Sequence, residues 1–462
     1  MEKDKLKNVN RSYLRKVFSV KTLFYPFIMI LVKSGFISST EGIINYLIRL
    51  VGIRKDVHYF LKYRDYGNLF AGQFKKGSGH TSEILFPMMF GSHSNFNLLN
   101  LLFSRYFRDR EGFNPVFFIC DSAFDICTKD GMIKSREKYP FFCHECWNGY
   151  KFIEEKTGID TIRMSHNLSG YQVIADTEGK QVDGFNSLSE CIDYKFKDVP
   201  IGKFARKSVL RYFLTGSLTE SDEILRIFRK FITAGLRYSV AFSKVLNDRP
   251  GIKYVILNNG SLVFEAIARE ICDQRGITCM TYETYIGNNS LIYKKNGPVM
   301  DLNWEDEYRS FIKNFTVDDQ ARLKVDGFFN ELQQGVGMYA ILNKEHRGDK
   351  LAGVERYACL FTNLNYDTAV IDKNFLFESM EKWIISVIDF WKKSNPDITL
   401  VIRVHPGELK LVTASKEFLG DRIRIACGNN KKILVFDADE LINSYELIKG
   451  MEYGLIYSST IG

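Results

Sequence analysis

Two short apolar runs in this chain stop abruptly in side chains able to hold phosphate. Residues 398–408 read ITLVIRVHPGE and residues 453–462 read YGLIYSSTIG. A buried parallel strand that delivers a ligand-binding loop at its carboxyl end has this pattern, apolar and then suddenly polar or small. The imidazole of His405 and the hydroxyls of Ser458, Ser459 and Thr460 are hydrogen-bond donors for anionic oxygen. Donors placed where negative charge builds on a departing phosphate accelerate its departure. Arg403 and Glu408 flank the same histidine, and Asn363 ends another apolar run, so these three join the candidate phosphate side.

Proton abstraction needs a base within hydrogen-bonding reach of a hydroxyl. Glu283 closes the run ITCMTY at 277–282, and His93 stands in the small-residue loop GSHSN at 91–95. Both are candidate bases. The plainer alternatives are a structural hydrogen bond for His93, and a helix cap or a pair with Lys294 or Lys295 for Glu283. Cys120, Cys127, Cys143 and Cys146 follow in C-x6-C-x15-C-x2-C spacing. Two thiolates two residues apart can share a tetrahedral ion, which makes this quartet a candidate structural zinc site, with incidental buried thiols as the alternative.

These residues need a scaffold of strands and covering helices. Residues 83–90 (EILFPMMF), the amphipathic run 96–110 and residues 115–120 (PVFFIC) read as a βαβ unit. The loop after the first strand lacks G-x-G-x-x-G, so no dinucleotide fingerprint is present. Residues 253–257, a loop Asn258-Asn259-Gly260-Ser261 that offers a helix N-cap, a helix over 262–275 and a strand over 277–282 form a second unit. From Tyr357 onward the predicted order is β-α-β-β-α-β, with strands at 357–363, 398–404, 433–436 and 454–457 and helices at 375–393 and 444–451. The expected fold class is α/β, with two Rossmann-like domains. Residues 1–80 form a basic helical extension, 81–300 a first domain with a cysteine-containing insertion, 301–350 a helical linker and 351–462 a second domain. The chain stops at Gly462, where a helix would complete the anion site, so this second domain is expected to be truncated.

Composition narrows the setting. The 462 residues are 45% hydrophobic and 26% charged, a globular balance long enough for two or three cores. The formal net charge of +8 favours anionic partners. Nine cysteines, an odd number without a signal peptide, point to a reducing, cytoplasmic compartment. The apolar run 23–32 is interrupted by Pro26 and is about half the roughly 20 residues of a membrane span. With Lys3, Lys5, Lys7, Arg11, Arg15, Lys16 and Lys21 before it, the run suits a peripheral position on an anionic inner membrane face; packing on the protein body is the alternative. No basic-aromatic ladder points to nucleic acid.

With those residues in view, the sequence resembles the bacterial capsule polysaccharide biosynthesis proteins, glycosyltransferases of the two-Rossmann-domain (GT-B) type that include transferases of Kdo and sialic acid. The resemblance rests on Arg403-Val404-His405-Pro406-Gly407-Glu408, on residues 443–448 (NSYELI) and on residues 457–462 (YSSTIG). It implies that His405 donates to the donor phosphate, that Ser458, Ser459 and Thr460 bind it, and that an inverting transfer proceeds without a catalytic metal and with no required cofactor. The implied partners are a nucleotide-sugar donor, with CMP a candidate nucleotide, a polysaccharide or glycolipid acceptor, the inner membrane surface and capsule assembly proteins. The family's acidic-acidic-glycine base motif has no clear copy here, which leaves Glu283 and His93 both open. A transferase of polyol phosphate from CDP-glycerol or CDP-ribitol would share the fold, the His-Pro pair and the serine loop. A non-catalytic binding module on the same fold is the third reading.

Overall fold

The computed structural model describes residues 68–74, 82–89, 94–127, 142–168, 170–285, 290–301, 305–316, 318–334, 349–374, 376–410, 418–440 and 442–458. His93, Ser459, Thr460 and residues 1–67 and 75–80 of the basic extension lie outside them. The chain divides into two compact units, Met1–Ser122 with Phe141–Arg163, and Ala123–Pro140 with Met164–Gly462.

The first unit is a parallel α/β layer. Strand β1 (Glu83–Met88), helix α1 (Ser94–Glu111), strand β2 (Asn114–Ile119), helix α2 (Phe142–Thr157) and strand β3 (Asp160–Arg163) follow in order. The strands lie in the order β3-β2-β1 with parallel pairing. Ile84, Leu85, Phe86, Val116, Phe117 and Phe118 are all buried, as a sheet packed on both faces requires. The Tyr150 hydroxyl of α2 donates to the Met88 carbonyl at 3.0 Å and fixes that helix to the end of β1.

The second unit carries the candidate site. Helix α3 (Ile201–Phe213) and helix α4 (Asp222–Asp248) precede strand β4 (Ile252–Asn258), helix α5 (Val263–Gln274), strand β5 (Thr278–Thr284) and strand β6 (Leu291–Lys295). Strands β4 and β5 pair in parallel, and β6 pairs antiparallel with β5. Helix α4 starts where the Ser221 hydroxyl accepts from the Ile224 N–H, and buries Phe228, Phe231, Ile232, Leu236 and Phe242 along one stripe. The expected cap for α5 within its own loop is absent. Its N-terminal Val263 N–H donates at 2.9 Å to the Ser208 hydroxyl of α3.

A second sheet follows. Strand β7 (Tyr357–Phe361), helix α6 (Met380–Ser394), strand β8 (Thr399–Arg403), helix α7 (Leu419–Cys427), strand β9 (Ile433–Phe436), helix α8 (Ser444–Gly450) and strand β10 (Tyr453–Ile456) run in sequence. Helix α7 corrects the expected β-α-β-β-α-β order: Leu419, Ile423 and Cys427 recur every four residues and bury on one face, which gives β8 and β9 the crossover that parallel pairing demands. The strands stand in the order β10-β7-β8-β9, all parallel. Alternate residues face opposite cores. Ala358, Leu360, Leu400, Ile402 and Val404 pack with Ile384, Ile388 and Ile423 of α6 and α7, while Cys359, Phe361, Val401 and Phe436 pack with Leu447 of α8. The chain moves outward from β7 to β9 and then returns to the other side of β7. The strand order therefore reverses between β7 and β10, at a topological switch point of the kind where open α/β sheets hold their ligands.

Candidate functional site

The carboxyl edge of the second sheet presents His405. Its backbone N–H donates to the Thr362 hydroxyl at 2.9 Å, which joins the end of β8 to the loop after β7. Its ring is held from within the turn, because the Gly407 N–H donates to Nδ1 at 3.0 Å. Nδ1 as acceptor leaves the proton of the neutral ring on Nε2. Burial lowers the ring's pKa to about 4, against the pull of the Asp367 carboxylate and with the aid of the Arg403 cation. His405 at neutral pH is thus an uncharged Nε2–H donor of fixed tautomer.

Asn363 ties the switch point together. Its Nδ2 donates at 2.9 Å to the Ser458 carbonyl after β10, and its Oδ1 accepts from the Leu364 N–H at 2.8 Å. The Ser458 hydroxyl donates to the Ala369 carbonyl, so the loop 362–371 is pinned from the β10 side as well. Buried Leu364 and Tyr366 cluster with Leu214 at the end of α3.

The same loop meets the edge of β4 and β5. Asn259 follows β4 with φ of +59°, a left-handed conformation that asparagine tolerates, and its N–H donates to the Tyr282 carbonyl at 2.8 Å. Gly260 comes next with φ of +85°, and a Cβ there would meet Thr281 Cγ2 at 2.5 Å, so only glycine fits the turn. This turn aims the Asn259 amide. Its Nδ2 lies 3.1 Å from Glu283 Oε2 and 3.2 Å from the Thr368 hydroxyl. Glu283 also accepts from the Thr284 N–H at 3.1 Å. Burial raises its pKa above the ordinary glutamate range, opposed by the Asn259 bond, the Thr284 bonds and the Arg211 charge.

A second carboxylate adjoins it electrostatically. Glu265, in the first turn of α5, is 3% exposed, and burial raises its pKa to about 7; Arg211 pulls the other way and Glu283 adds to the rise. Glu265 Oε2 and Asn259 Oδ1 are both buried acceptors without a donor. Loop residues Asp367 and Thr368 are consecutive, one within electrostatic reach of His405 and the other bonded to Asn259. In this way the candidate base Glu283, through Asn259, and the candidate phosphate ligand His405 are both linked to one loop. Further on, Asp372 pairs with Arg206 at 2.7 Å and Lys207 at 3.1 Å, and Lys373 pairs with Asp301.

Arg403 and Glu408 lie beneath this edge. Arg403 is 2% exposed, donates through Nη1 to the Asp437 carbonyl at 2.6 Å, and buries Nε and Nη2 without acceptors; burial lowers its pKa to about 10. Glu408 is buried with its pKa raised by burial to about 7, and its carboxylate accepts from the Gly420 N–H at 3.5 Å at the start of α7. These two set the His405 turn and the α7 terminus.

The zinc expectation finds no support among the described residues. Among the described residues no three His, Cys, Asp or Glu side chains gather so as to hold a metal ion, and Cys120, Cys127, Cys143 and Cys146 are all described. Cys143 and Cys146 lie near the start of α2, and Cys120 directly follows β2. Sequence reading also passed over Asn259, Glu265, Thr362, Asp367 and Thr368. The Asn-Gly pair after an apolar run was the one local signal for the first; the others are placed by contacts distant in sequence. Among the described residues no helix is long and apolar enough to cross a membrane.

No protein-family model matches this chain, and no curated protein matches it. Similarity to solved structures is distant. A CDPS from Fluoribacter dumoffii is 14% identical, covering 50% of this chain and 93% of that one with a TM-score of 0.30. The Leishmania major tyrosyl-tRNA synthetase in complex with tyrosinol, in a cubic crystal form, is 11% identical, covering 81% of this chain and 83% of that one with a TM-score of 0.22. Its triclinic form is 10% identical, with 81% and 66% covered and the same TM-score of 0.22. Likenesses at this level carry no assignment of function.

Proposed function

We propose that this chain is a glycosyltransferase of GT-B type that moves a sugar from a nucleotide-sugar donor to a capsule polysaccharide or lipid-linked acceptor. The observation that carries the reading is the state of His405: neutral, with Nδ1 occupied by the Gly407 N–H, at the carboxyl end of β8 beside the switch point. An Nε2–H there is a preorganised donor for a phosphate oxygen. Glu283, with its basicity raised by burial, takes the proton from the acceptor hydroxyl. The acceptor oxygen then bonds to the sugar's anomeric carbon as the bond from that carbon to the phosphate oxygen breaks. The nucleotide departs with the electron pair, on an oxygen that His405 stabilises.

Thermal denaturation with a nucleotide panel tests this reading. CMP or a CMP-sugar at about a hundredfold excess over Kd stabilises the protein by about 2.7 kcal/mol, while UDP and CDP-glycerol leave the melting temperature unmoved. Stabilisation by CDP-glycerol alone moves the assignment to polyol-phosphate transfer. If no nucleotide shifts the melting temperature and His405→Ala changes nothing, the enzyme reading fails.

A further inference from the structure

Helix α4 carries a row of cations that the transfer chemistry does not use. Arg226, Arg229, Lys230, Thr233 and Arg237 follow one another at intervals of three, one, three and four residues. At 3.6 residues per turn they fall within an arc of about 100°, and the row from Arg226 to Arg237 is about 16 Å long. They line a cavity of about 440 Å³ whose other polar walls are Asp125 and Asp183.

The row is only partly satisfied. Arg229 donates to the Asp183 carbonyl at 2.9 Å and to the Leu225 carbonyl at 3.3 Å, both backbone acceptors. Arg237 reaches Asp125 at 3.3 Å and lies over the Tyr171 ring at 5.1 Å, but its Nε is buried without an acceptor. Arg226 and Lys230 are exposed and pair with no carboxylate among the described residues. Four cations thus face two carboxylates, one of them, Asp125, 75% exposed along its side chain.

We propose that this groove binds an acidic oligosaccharide, the acceptor polymer of the transferase reading. Guanidinium groups match carboxylates through paired N–H donors, and a 16 Å row calls for several linked anionic units rather than one. Asp125 and Asp183 favour a ligand that also offers hydroxyl donors. The Tyr171 face that a nucleic-acid base would stack on is covered by Arg237. The role as acceptor site rests on the glycosyltransferase reading; the binding itself does not.

Isothermal titration at about 50 mM salt, where surface charge is weakly screened, tests the groove with three probes: tetragalacturonate, neutral maltotetraose and an oligouridylate. Tetragalacturonate is expected to bind and maltotetraose not to. Arg226→Glu with Lys230→Glu, both exposed and unpaired, is expected to weaken binding at least about tenfold, with the melting temperature kept. Absence of tetragalacturonate binding, binding that the double variant leaves unchanged, or tighter binding of the oligouridylate overturns the proposal. A protein that binds tetragalacturonate and responds to no nucleotide keeps the groove and loses the transferase reading. One that responds to CMP and ignores tetragalacturonate does the reverse.

Discussion

The edge of β7, β8 and β10 and the edge of β4 and β5 both bond to the loop 362–371 and manage polarity differently. On the first edge the named groups have found partners: Thr362 with the His405 backbone, Gly407 with the His405 ring, Asn363 with Ser458 and Leu364, Ser458 with Ala369. On the second, Glu265 Oε2 and Asn259 Oδ1 are buried acceptors without donors among the described residues, whereas the unpartnered atoms beneath the first edge, Arg403 Nε and Nη2, are donors. A buried acceptor left unpaired costs about 1–3 kcal/mol. The contrast separates an edge whose surplus buried groups are donors, suited to an anion, from an acceptor-rich recess suited to a proton or a hydroxyl. One edge is built to hold and the other to take.

Substitutions on the two edges should therefore fail differently. Glu283→Gln is expected to lower turnover by about 10²–10⁴-fold while leaving nucleotide-induced stabilisation intact, measured by initial rates beside thermal shifts. A proportional loss of nucleotide binding would erase the distinction. His405→Ala is expected to cost about 10²–10³-fold in turnover and to remove the nucleotide shift as well, since it deletes the donor itself. The acid limb of kcat/KM should then follow Glu283, at a pH above the ordinary glutamate range. No limb is expected near 6.5, because His405 is neutral down to about pH 4.

Stability carries the same contrast with opposite signs. Glu265 has a folded pKa of about 7 against an ordinary 4.5, so the native state keeps a proton that the unfolded chain gives up, and its contribution is lost as pH rises from 4.5 through 7. Glu265→Gln should raise stability by at most about 3 kcal/mol at pH 8, converging with the parent protein at pH 4.5, as followed by denaturant melts. For His405 the folded pKa is depressed, so its contribution is present above 6.5 and is lost as pH falls toward 4. Asn363→Ala is the smallest change, about 1–2 kcal/mol from two lost hydrogen bonds, with faster proteolysis near Ser458 as the local sign.

Much of this scaffold is written locally. The apolar runs ending at Asn258 and Arg403 announce their strands within a residue or two, because buried parallel strands read as continuous hydrophobic stretches. The run ending at Ile456 does so although β10 is an exposed to half-buried edge strand. Strand β6 does not, since LIYKK is alternately exposed and carries two lysines. Helix α7 was hidden because Asp421, Arg422 and Arg424 interrupt its short apolar stripe. His405 was legible as a residue at a strand end, but its tautomer depends on a turn that folds the Gly407 N–H onto Nδ1. Glu265 looks like an ordinary helix glutamate, and its burial comes from packing that no local pattern encodes. Asn259 meets Thr368, 109 residues away, and no local pattern encodes that contact.

Nitrogen-15 NMR of the histidine side chains during a CMP titration shows whether His405 is a neutral Nε2–H donor to a nucleotide phosphate. The expected result is an Nε2–H tautomer that persists unprotonated at pH 6, with an Nε2–H proton that moves downfield on saturation with CMP and is missing in His405→Ala. An imidazolium at pH 6, the opposite tautomer, or resonances unmoved by saturating nucleotide would contradict it.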